Sequence, residues 1–184
     1  MNVLVLWDVD HTLIENSGVS KETYAGAFEL LAGVPAQHRA RTGGRTDPEI
    51  LGDLLADHGY DPATFSSSQM AEALTESLKA RRSALAERGH ALPGGRAAID
   101  ALAEVAGVTQ SVLTGNVKAN AIGKLEPFGL VDGIDWDCGG FGFDAPRRWD
   151  LVGVAQQRAS AKYDVDFIDL NTVLPNLEDT AAVV

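Results

Sequence analysis

The apolar and polar positions of this chain follow two patterns, short apolar runs and longer stretches with helical spacing. Residues 2–7 are mostly apolar and predict a buried strand, a β pattern returns at 108–113, and weaker strands are predicted at 134–137 and 172–174. Helical spacing of apolar residues predicts helices over about 96–106, 117–127 and 148–162. Because strands alternate with helices, we expect an α/β fold with a doubly wound parallel sheet.

Residues 15–90 differ from the rest, because they contain three predicted helices and no predicted strand. The three helices begin near Ser20, Asp47 and Ser66, and they end at Gly33, Gly59 and Gly89. This stretch interrupts the α/β pattern between its first two strong strands. We therefore expect an α/β core made of residues 1–14 and 91–184, with an inserted α-helical domain at 15–90.

Composition narrows the classes of function. The 184 residues are 45% hydrophobic, which suits one globular core plus an insertion. A formal net charge of −11 argues against nucleic acid and anionic membranes as partners, although local positive charge could still bind a phosphate group. The single cysteine, Cys138, excludes an intrachain disulfide and favours a reducing, cytoplasmic location. No membrane-spanning run or signal peptide is predicted.

The first predicted strand ends in a motif of two carboxylates and a hydroxyl, Asp8-x-Asp10-x-Thr12. Unpaired carboxylates are costly to bury, so this pattern places charge at the carboxyl end of a buried strand, where open α/β sheets bind ligands. Carboxylate oxygens there suit Mg²⁺, which also retains waters and substrate phosphate as ligands. The alternative is an Asp pair that only caps a turn or a helix.

Asp8-x-Asp10-x-Thr12 after an N-terminal strand resembles the first motif of the haloacid dehalogenase (HAD) superfamily, which consists mostly of phosphatases. The resemblance implies that Asp8 is the nucleophile, that Asp10 is the general acid and base, and that Thr12 binds substrate. It also implies that the Asp8 side chain and the Asp10 backbone carbonyl bind Mg²⁺. His11 stands where the family usually has glycine. The helical insertion resembles the cap domain of phosphoglycolate phosphatases of this superfamily.

The family's second and third motifs have candidates in the middle of the chain. Thr114-Gly115-Asn116 follows a predicted strand and would bind phosphate through the Thr114 hydroxyl, the Gly115 amide and Asn116, although Thr114 could also be a plain helix N-cap. The third motif is a cation that stabilises phosphate. Lys124 is favoured for it, and Arg147 or Arg148 is the alternative.

The fourth motif and the cap loop carry the weaker assignments. Asp179 would be the third metal ligand, although Glu178 replaces the usual glycine before it; Asp169 is a weaker candidate. In the cap, Arg45 follows two glycines and could bind the substrate's phosphate or carboxylate, or it could belong to a plain loop between helices.

Taken together, the resemblance implies a Mg²⁺-dependent phosphomonoester hydrolase. It would act through an aspartyl-phosphate on a small phosphorylated metabolite. The alternatives are a phosphotransferase or mutase of the same superfamily, and a catalytically degenerate HAD-like domain with a binding role.

Overall fold

The computed structural model describes residues 2–175. Its main sheet has three parallel strands in the order β4-β1-β5, and a two-stranded antiparallel ribbon pairs β2 with β3. The strands are β1 (Val3–Trp7), β2 (Ile14–Glu15), β3 (His90–Ala91), β4 (Val108–Val112) and β5 (Thr172–Val173). The helices are α1 (Val19–Ala32), α2 (Asp47–Asp57), α3 (Ser67–Ala80), α4 (Arg82–Arg88), α5 (Gly95–Ala103), α6 (Lys118–Leu125) and α7 (Asp150–Tyr163).

Strand β1 lies at the centre of the main sheet, and its apolar run is covered on both faces. Val5 and Trp7 pack on one side with Ile99 of α5 and Leu125 of α6. Leu4 and Leu6 belong to a second cluster on the other side, built with α7. Both faces of a parallel sheet are normally buried in this way, which explains why β1 has no alternating polar positions. The predicted α/β fold with a parallel sheet and an inserted helical domain is confirmed.

The inserted segment forms four helices rather than three, because the third predicted helix is interrupted at Arg81. Helices α1, α2 and α3 enclose an apolar cluster of their own, which includes Phe28, Leu51 and Leu74. We call helices α1–α4 with their connecting loops the cap, and the main sheet with α5–α7 the core. The β2–β3 ribbon lies where the chain leaves the core and returns to it. The domain boundaries given above stay a prediction.

Two local predictions are wrong. No strand forms at 134–137: that segment is a turn, in which the Asp137 amide donates to the Asp135 side chain, and β4 is instead extended by a bridge between Leu113 and Gly140. Helix α1 begins at Val19 after Gly18, which has φ +84° and takes the N-cap position, so Ser20 lies inside the helix. The described helices include none that is long and apolar enough to cross a membrane.

Candidate active site

The candidate site lies where β1 and β4 end, beneath the cap. The register pairs Trp7 with Val112, so Asp8 and Thr114 follow the two strands at the same edge of the sheet. A cavity of about 380 Å³ separates this edge from the cap. Its core lining includes Asp8, Asp10, Thr114, Gly115, Asn116 and Arg148. Parallel strand ends and two loops therefore bring the predicted motifs to one place.

Asp8 is a buried carboxylate at the base of this cavity, with 7% of the residue exposed. Its Oδ1 accepts a hydrogen bond from the Val9 amide at 2.8 Å, and its Oδ2 accepts one from Arg148 Nη2 at 2.5 Å. An arginine beside a carboxylate offsets part of its negative charge. Asp8 is thus an anion held next to a cation at the cavity base.

Asp10 points into a denser hydrogen-bond network. Its carboxylate contacts Lys124 Nζ at 3.0 and 2.7 Å, and it accepts hydrogen bonds from Asn116 Nδ2 at 2.9 Å and Asn16 Nδ2 at 2.8 Å. Burial by itself would raise the pKa of Asp10, but the Lys124 charge and these hydrogen bonds outweigh it and lower the pKa to about 2. Asp10 is therefore a carboxylate in this state of the protein.

The structure brings in a cation for each carboxylate, Lys124 for Asp10 and Arg148 for Asp8. Lys124 lies behind Asp10, outside the cavity lining, where it also donates to Asn116 Oδ1 at 2.7 Å. Arg147 instead pairs with Asp150 at the surface. Of the two candidates for the third motif, Lys124 contacts Asp10, and Arg148 contacts Asp8, the predicted nucleophile.

Thr114 and Gly115 offer hydrogen-bond donors next to Asp8. Thr114 Oγ1 accepts from the Asn116 amide at 3.2 Å and from Asn116 Nδ2 at 2.6 Å, which leaves its hydroxyl hydrogen available to a ligand. Within residues 2–175 the Gly115 amide has no hydrogen-bond acceptor. Such donors at the end of a strand form an oxyanion site on general grounds.

Two predicted substrate-binding residues, Thr12 and Arg45, do not present their side chains as substrate ligands in this structure. Thr12 does not line the cavity, and its Oγ1 is buried without a partner among the described residues. Arg45 lines the cavity, but its guanidinium donates to Asp53 at 2.8 Å rather than to an active-site carboxylate. Asp179 lies outside the described residues. Contact of Thr12 or Arg45 with substrate would therefore need a rearrangement of its side chain.

His11 adopts the backbone conformation that the usual glycine would supply. Its φ is +62°, in the left-handed region that costs a residue with a Cβ roughly 1–2 kcal/mol. The His11 amide donates to the Ile14 carbonyl at 2.8 Å, and its ring contacts Glu15 at 2.8 Å. These contacts hold the turn after Asp10 despite the strain.

Sequence reasoning missed two further residues that contact the site, Asn16 before α1 and Asp47 at the start of α2. Asn16 donates to Asp10, and its own Oδ1 accepts the Gly18 amide at 3.0 Å. Asp47 is 2% exposed and lines the cavity, and its Oδ1 and Oδ2 accept from the Tyr24 hydroxyl at 2.6 Å and the Val117 amide at 2.7 Å. Burial raises the pKa of Asp47, and burial together with the Asp47 charge raises that of Tyr24. The Asp47-Pro48 helix start was the only sequence signal, and it says nothing about burial.

The metal site is incomplete within the described residues. Across residues 2–175 no group of three histidine, cysteine or acidic side chains could hold a metal ion. The Asp8 carboxylate and the Asp10 backbone carbonyl are the hard oxygen donors that Mg²⁺ takes in proteins. The donor set present fits Mg²⁺ in kind but supplies only two ligands.

No protein-family model matches this chain, and no curated protein matches it. Solved structures do match its fold. Mutant CbbY from Rhodobacter sphaeroides, in complex with xylulose-(1,5)bisphosphate, superposes with a TM-score of 0.66 at 18% identity, covering 95% of this chain and 77% of that one. A predicted phosphatase from Clostridium acetobutylicum gives 0.59 at 14% identity, covering 95% and 75%.

A HAD hydrolase of family IA from Entamoeba histolytica gives a TM-score of 0.54 at 16% identity, covering 86% of this chain and 70% of that one. At these identities the likeness establishes the architecture. The chain has the fold of the HAD-like hydrolases. It shares this fold with CbbY and with the predicted phosphatase from Clostridium acetobutylicum.

Proposed function

We propose that this protein is a phosphomonoester hydrolase that works through an aspartyl-phosphate on Asp8. One observation carries the proposal. Asp8 lies at the base of a cavity, next to the guanidinium of Arg148, and the Thr114 hydroxyl and the Gly115 amide are donors at the same sheet edge. A nucleophile beside a cation and convergent donors is the arrangement that phosphoryl transfer needs.

In the first step an Asp8 oxygen forms a bond to phosphorus while the bond from phosphorus to the leaving oxygen breaks. Arg148, Thr114 and Gly115 then stabilise the negative charge on the equatorial oxygens. In the second step a water molecule attacks phosphorus, which releases inorganic phosphate and restores the Asp8 carboxylate. Because Arg148 already offsets charge on Asp8, an anionic phosphate can approach it with less repulsion.

Asp10 is proposed to donate and accept the protons that both steps require. With a pKa of about 2 it is deprotonated in this structure, as a group that accepts a proton from the attacking water must be. To protonate the leaving oxygen in the first step it must gain a proton. A bound phosphate adds negative charge beside Asp10 and raises its pKa in that direction. The first step therefore depends on the site being loaded.

Mg²⁺ is proposed as the cofactor, held by the Asp8 carboxylate and the Asp10 carbonyl, and Asp179 is the candidate for a third ligand. When bound, it would neutralise charge on the transferred phosphoryl group. Thr12, Asn116 and Arg45 are proposed to contribute to substrate binding, Arg45 only after leaving Asp53. A cavity of about 380 Å³ suits a small phosphorylated metabolite. We further propose a cytoplasmic location and no nucleic acid partner, in line with the acidic composition.

The experiment is hydrolysis of p-nitrophenyl phosphate by the wild-type chain, with Mg²⁺ and with a chelator. The expected result is Mg²⁺-dependent release of phosphate that Asp8→Asn abolishes. Exchange of phosphoryl groups between sugar phosphates without net release would instead indicate the transferase or mutase alternative. Binding of inorganic phosphate with no turnover would indicate a degenerate binding domain, an alternative that the altered fourth motif favours, since Glu178 replaces its usual glycine.

A further inference from the structure

We propose that Asp47 is a positioning residue through which the cap sets the geometry of the phosphate-binding turn at 114–117. Asp47 belongs to the cap, as the first residue of α2, yet it makes three hydrogen bonds of which two cross to the core. Its effect on turnover rests on the proposed function, whereas its effect on the turn does not.

Asp47 contacts the turn at two points, in opposite directions. Its amide donates to the Gly115 carbonyl at 2.7 Å, and its Oδ2 accepts from the Val117 amide at 2.7 Å. The other carboxylate oxygen accepts from Tyr24 of α1 at 2.6 Å. One buried residue thus connects two cap helices with both ends of the turn.

The turn has no room to move away from these contacts. A Cβ on Gly115 would lie 2.1 Å from the Arg45 carbonyl oxygen on the cap side. On the core side, a Cβ on Gly142 would lie 1.9 Å from the Gly115 carbonyl oxygen. The Gly142 amide also donates to the Asn116 carbonyl at 2.9 Å. The backbone of the turn is therefore clamped between the cap loop and Gly142.

The side chains of the turn are those that contact the reacting groups. Asn116 bridges Thr114, Asp10 and Lys124 at 2.6 to 2.9 Å, and Thr114 is the proposed phosphate donor. Asp47 touches none of the reacting groups by hydrogen bond. A shift of the turn by a fraction of its hydrogen-bond lengths would misplace Thr114 and Gly115 together, and small misplacements of this kind cost up to about a hundredfold in rate.

Burying a carboxylate carries a desolvation cost that hydrogen bonds offset only in part, so stability alone does not account for an aspartate at this position. Asparagine could keep both side-chain contacts. Its Oδ1 would accept from Val117, and its Nδ2 would donate to the Tyr24 oxygen. Alanine would keep neither contact. Comparison of the two variants therefore separates the effect of the side-chain hydrogen bonds from the effect of the negative charge.

The first measurement needs no activity: amide hydrogen exchange followed by NMR in the wild type, Asp47→Ala, Asp47→Asn and Tyr24→Phe. We expect the Val117 amide to exchange about tenfold faster or more in Asp47→Ala, and to stay protected in Asp47→Asn. Asp61→Ala is the control, because Asp61 also accepts an amide hydrogen bond at a helix start in the cap, at 3.0 Å, but its bond to Ala63 is local. Unchanged Val117 exchange in Asp47→Ala would overturn the proposal.

The second measurement is the kinetics of p-nitrophenyl phosphate hydrolysis by the same variants. We expect kcat to fall by on the order of tenfold to a hundredfold in Asp47→Ala, less in Tyr24→Phe, and to be largely restored in Asp47→Asn. A loss of thermal stability with unchanged kcat in the folded variant would contradict a positioning role.

If the wild type proves inactive, the proposed function fails, while the exchange measurement still tests whether Asp47 holds the turn. If Asp47→Ala does not fold, Tyr24→Phe and Asp47→Asn carry both measurements. Protection of Val117 lower in Tyr24→Phe than in Asp47→Asn would then support the proposal, and equal protection would overturn it.

Discussion

The two carboxylates of the first motif lie two residues apart but in different surroundings. On the Asp10 side, Lys124 is 3% exposed and the carboxylate accepts from a lysine and two amide side chains. On the Asp8 side, the Arg148 side chain is 17% exposed, and Arg148 comes from the segment just before α7. The cation beside Asp8 is therefore less enclosed than the cation beside Asp10, although the Asp8 side chain is itself the less exposed carboxylate, at 9% against 24%.

The difference indicates a division of labour. A carboxylate that is satisfied by a buried network holds its charge and its geometry, as a proton acceptor requires. The Asp8 carboxylate has Arg148 beside one oxygen, and because Arg148 also lines the cavity, the same cation can contact a bound phosphate. Two carboxylates of one motif thus acquire different surroundings because different elements, α6 on one side and the segment before α7 on the other, provide their cations.

Substitution at Asp8 should have the largest effect on activity. Asp8→Asn is expected to lower kcat for p-nitrophenyl phosphate by about a thousandfold or more, because an amide cannot form the phosphoryl intermediate. Asp10→Asn should slow alkyl phosphates, which have poor leaving groups, more than aryl phosphates. Steady-state assays with both substrate types check this. Wild-type turnover in Asp8→Asn would refute the nucleophile assignment, and equal losses for both leaving groups in Asp10→Asn would refute the acid role.

The two cations should differ in their effect on stability. Lys124→Met leaves the Asp10 carboxylate without its buried counter-charge and should lower the free energy of unfolding by about 3–5 kcal/mol. Arg148→Met should cost less, about 1–3 kcal/mol, because the Arg148 side chain is 17% exposed beside the cavity and water can replace it as a partner of Asp8. Urea unfolding of the two variants tests the ranking. Equal losses would show that the two sides are not differently enclosed.

Sequence reasoning reached part of this arrangement for identifiable reasons. Asp8 and Thr114 could be placed at one edge because parallel strand ends meet there. The sequence favours Lys124 over the arginines as the third motif, but it cannot show which cation reaches Asp8, since the direction of a long side chain depends on how its helix packs. Asp47 was missed because its burial results from the cap folding onto the core. The predicted strand at 134–137 failed because Asp135 turns the chain by accepting from the Asp137 amide.

The low pKa of Asp10 predicts a pH-dependent stability on that side of the site. Its folded pKa of about 2 lies below the ordinary value of 3.8, so the stabilisation is present above pH 4 and is lost as the pH falls through 2. The lost stability should be about 2 kcal/mol at most, and Asp10→Asn should remove this part of the dependence. Urea unfolding between pH 5 and 2 measures it. An Asp10→Asn profile parallel to the wild type would contradict the assignment.

The smallest expected effect is that of Asp179→Asn on the binding of Mg²⁺ beside Asp8. With two ligands from the described residues, Mg²⁺ should bind on the order of millimolar or more weakly, and Asp179→Asn should change little. Calorimetric titration with Mg²⁺ tests this expectation. Micromolar binding that Asp179→Asn abolishes would show instead that Asp179 completes the metal site.

The most direct test of the proposed aspartyl-phosphate mechanism is to trap the phosphoenzyme. The wild-type chain is incubated with p-nitrophenyl phosphate and Mg²⁺, quenched in acid within one turnover, digested, and analysed by mass spectrometry. We expect one acid-stable, base-labile phosphoryl group on Asp8. It should be absent from Asp8→Asn and retained in Asp10→Asn. Hydrolysis without any phosphorylated aspartate, or with the phosphoryl group on another residue, would contradict this mechanism.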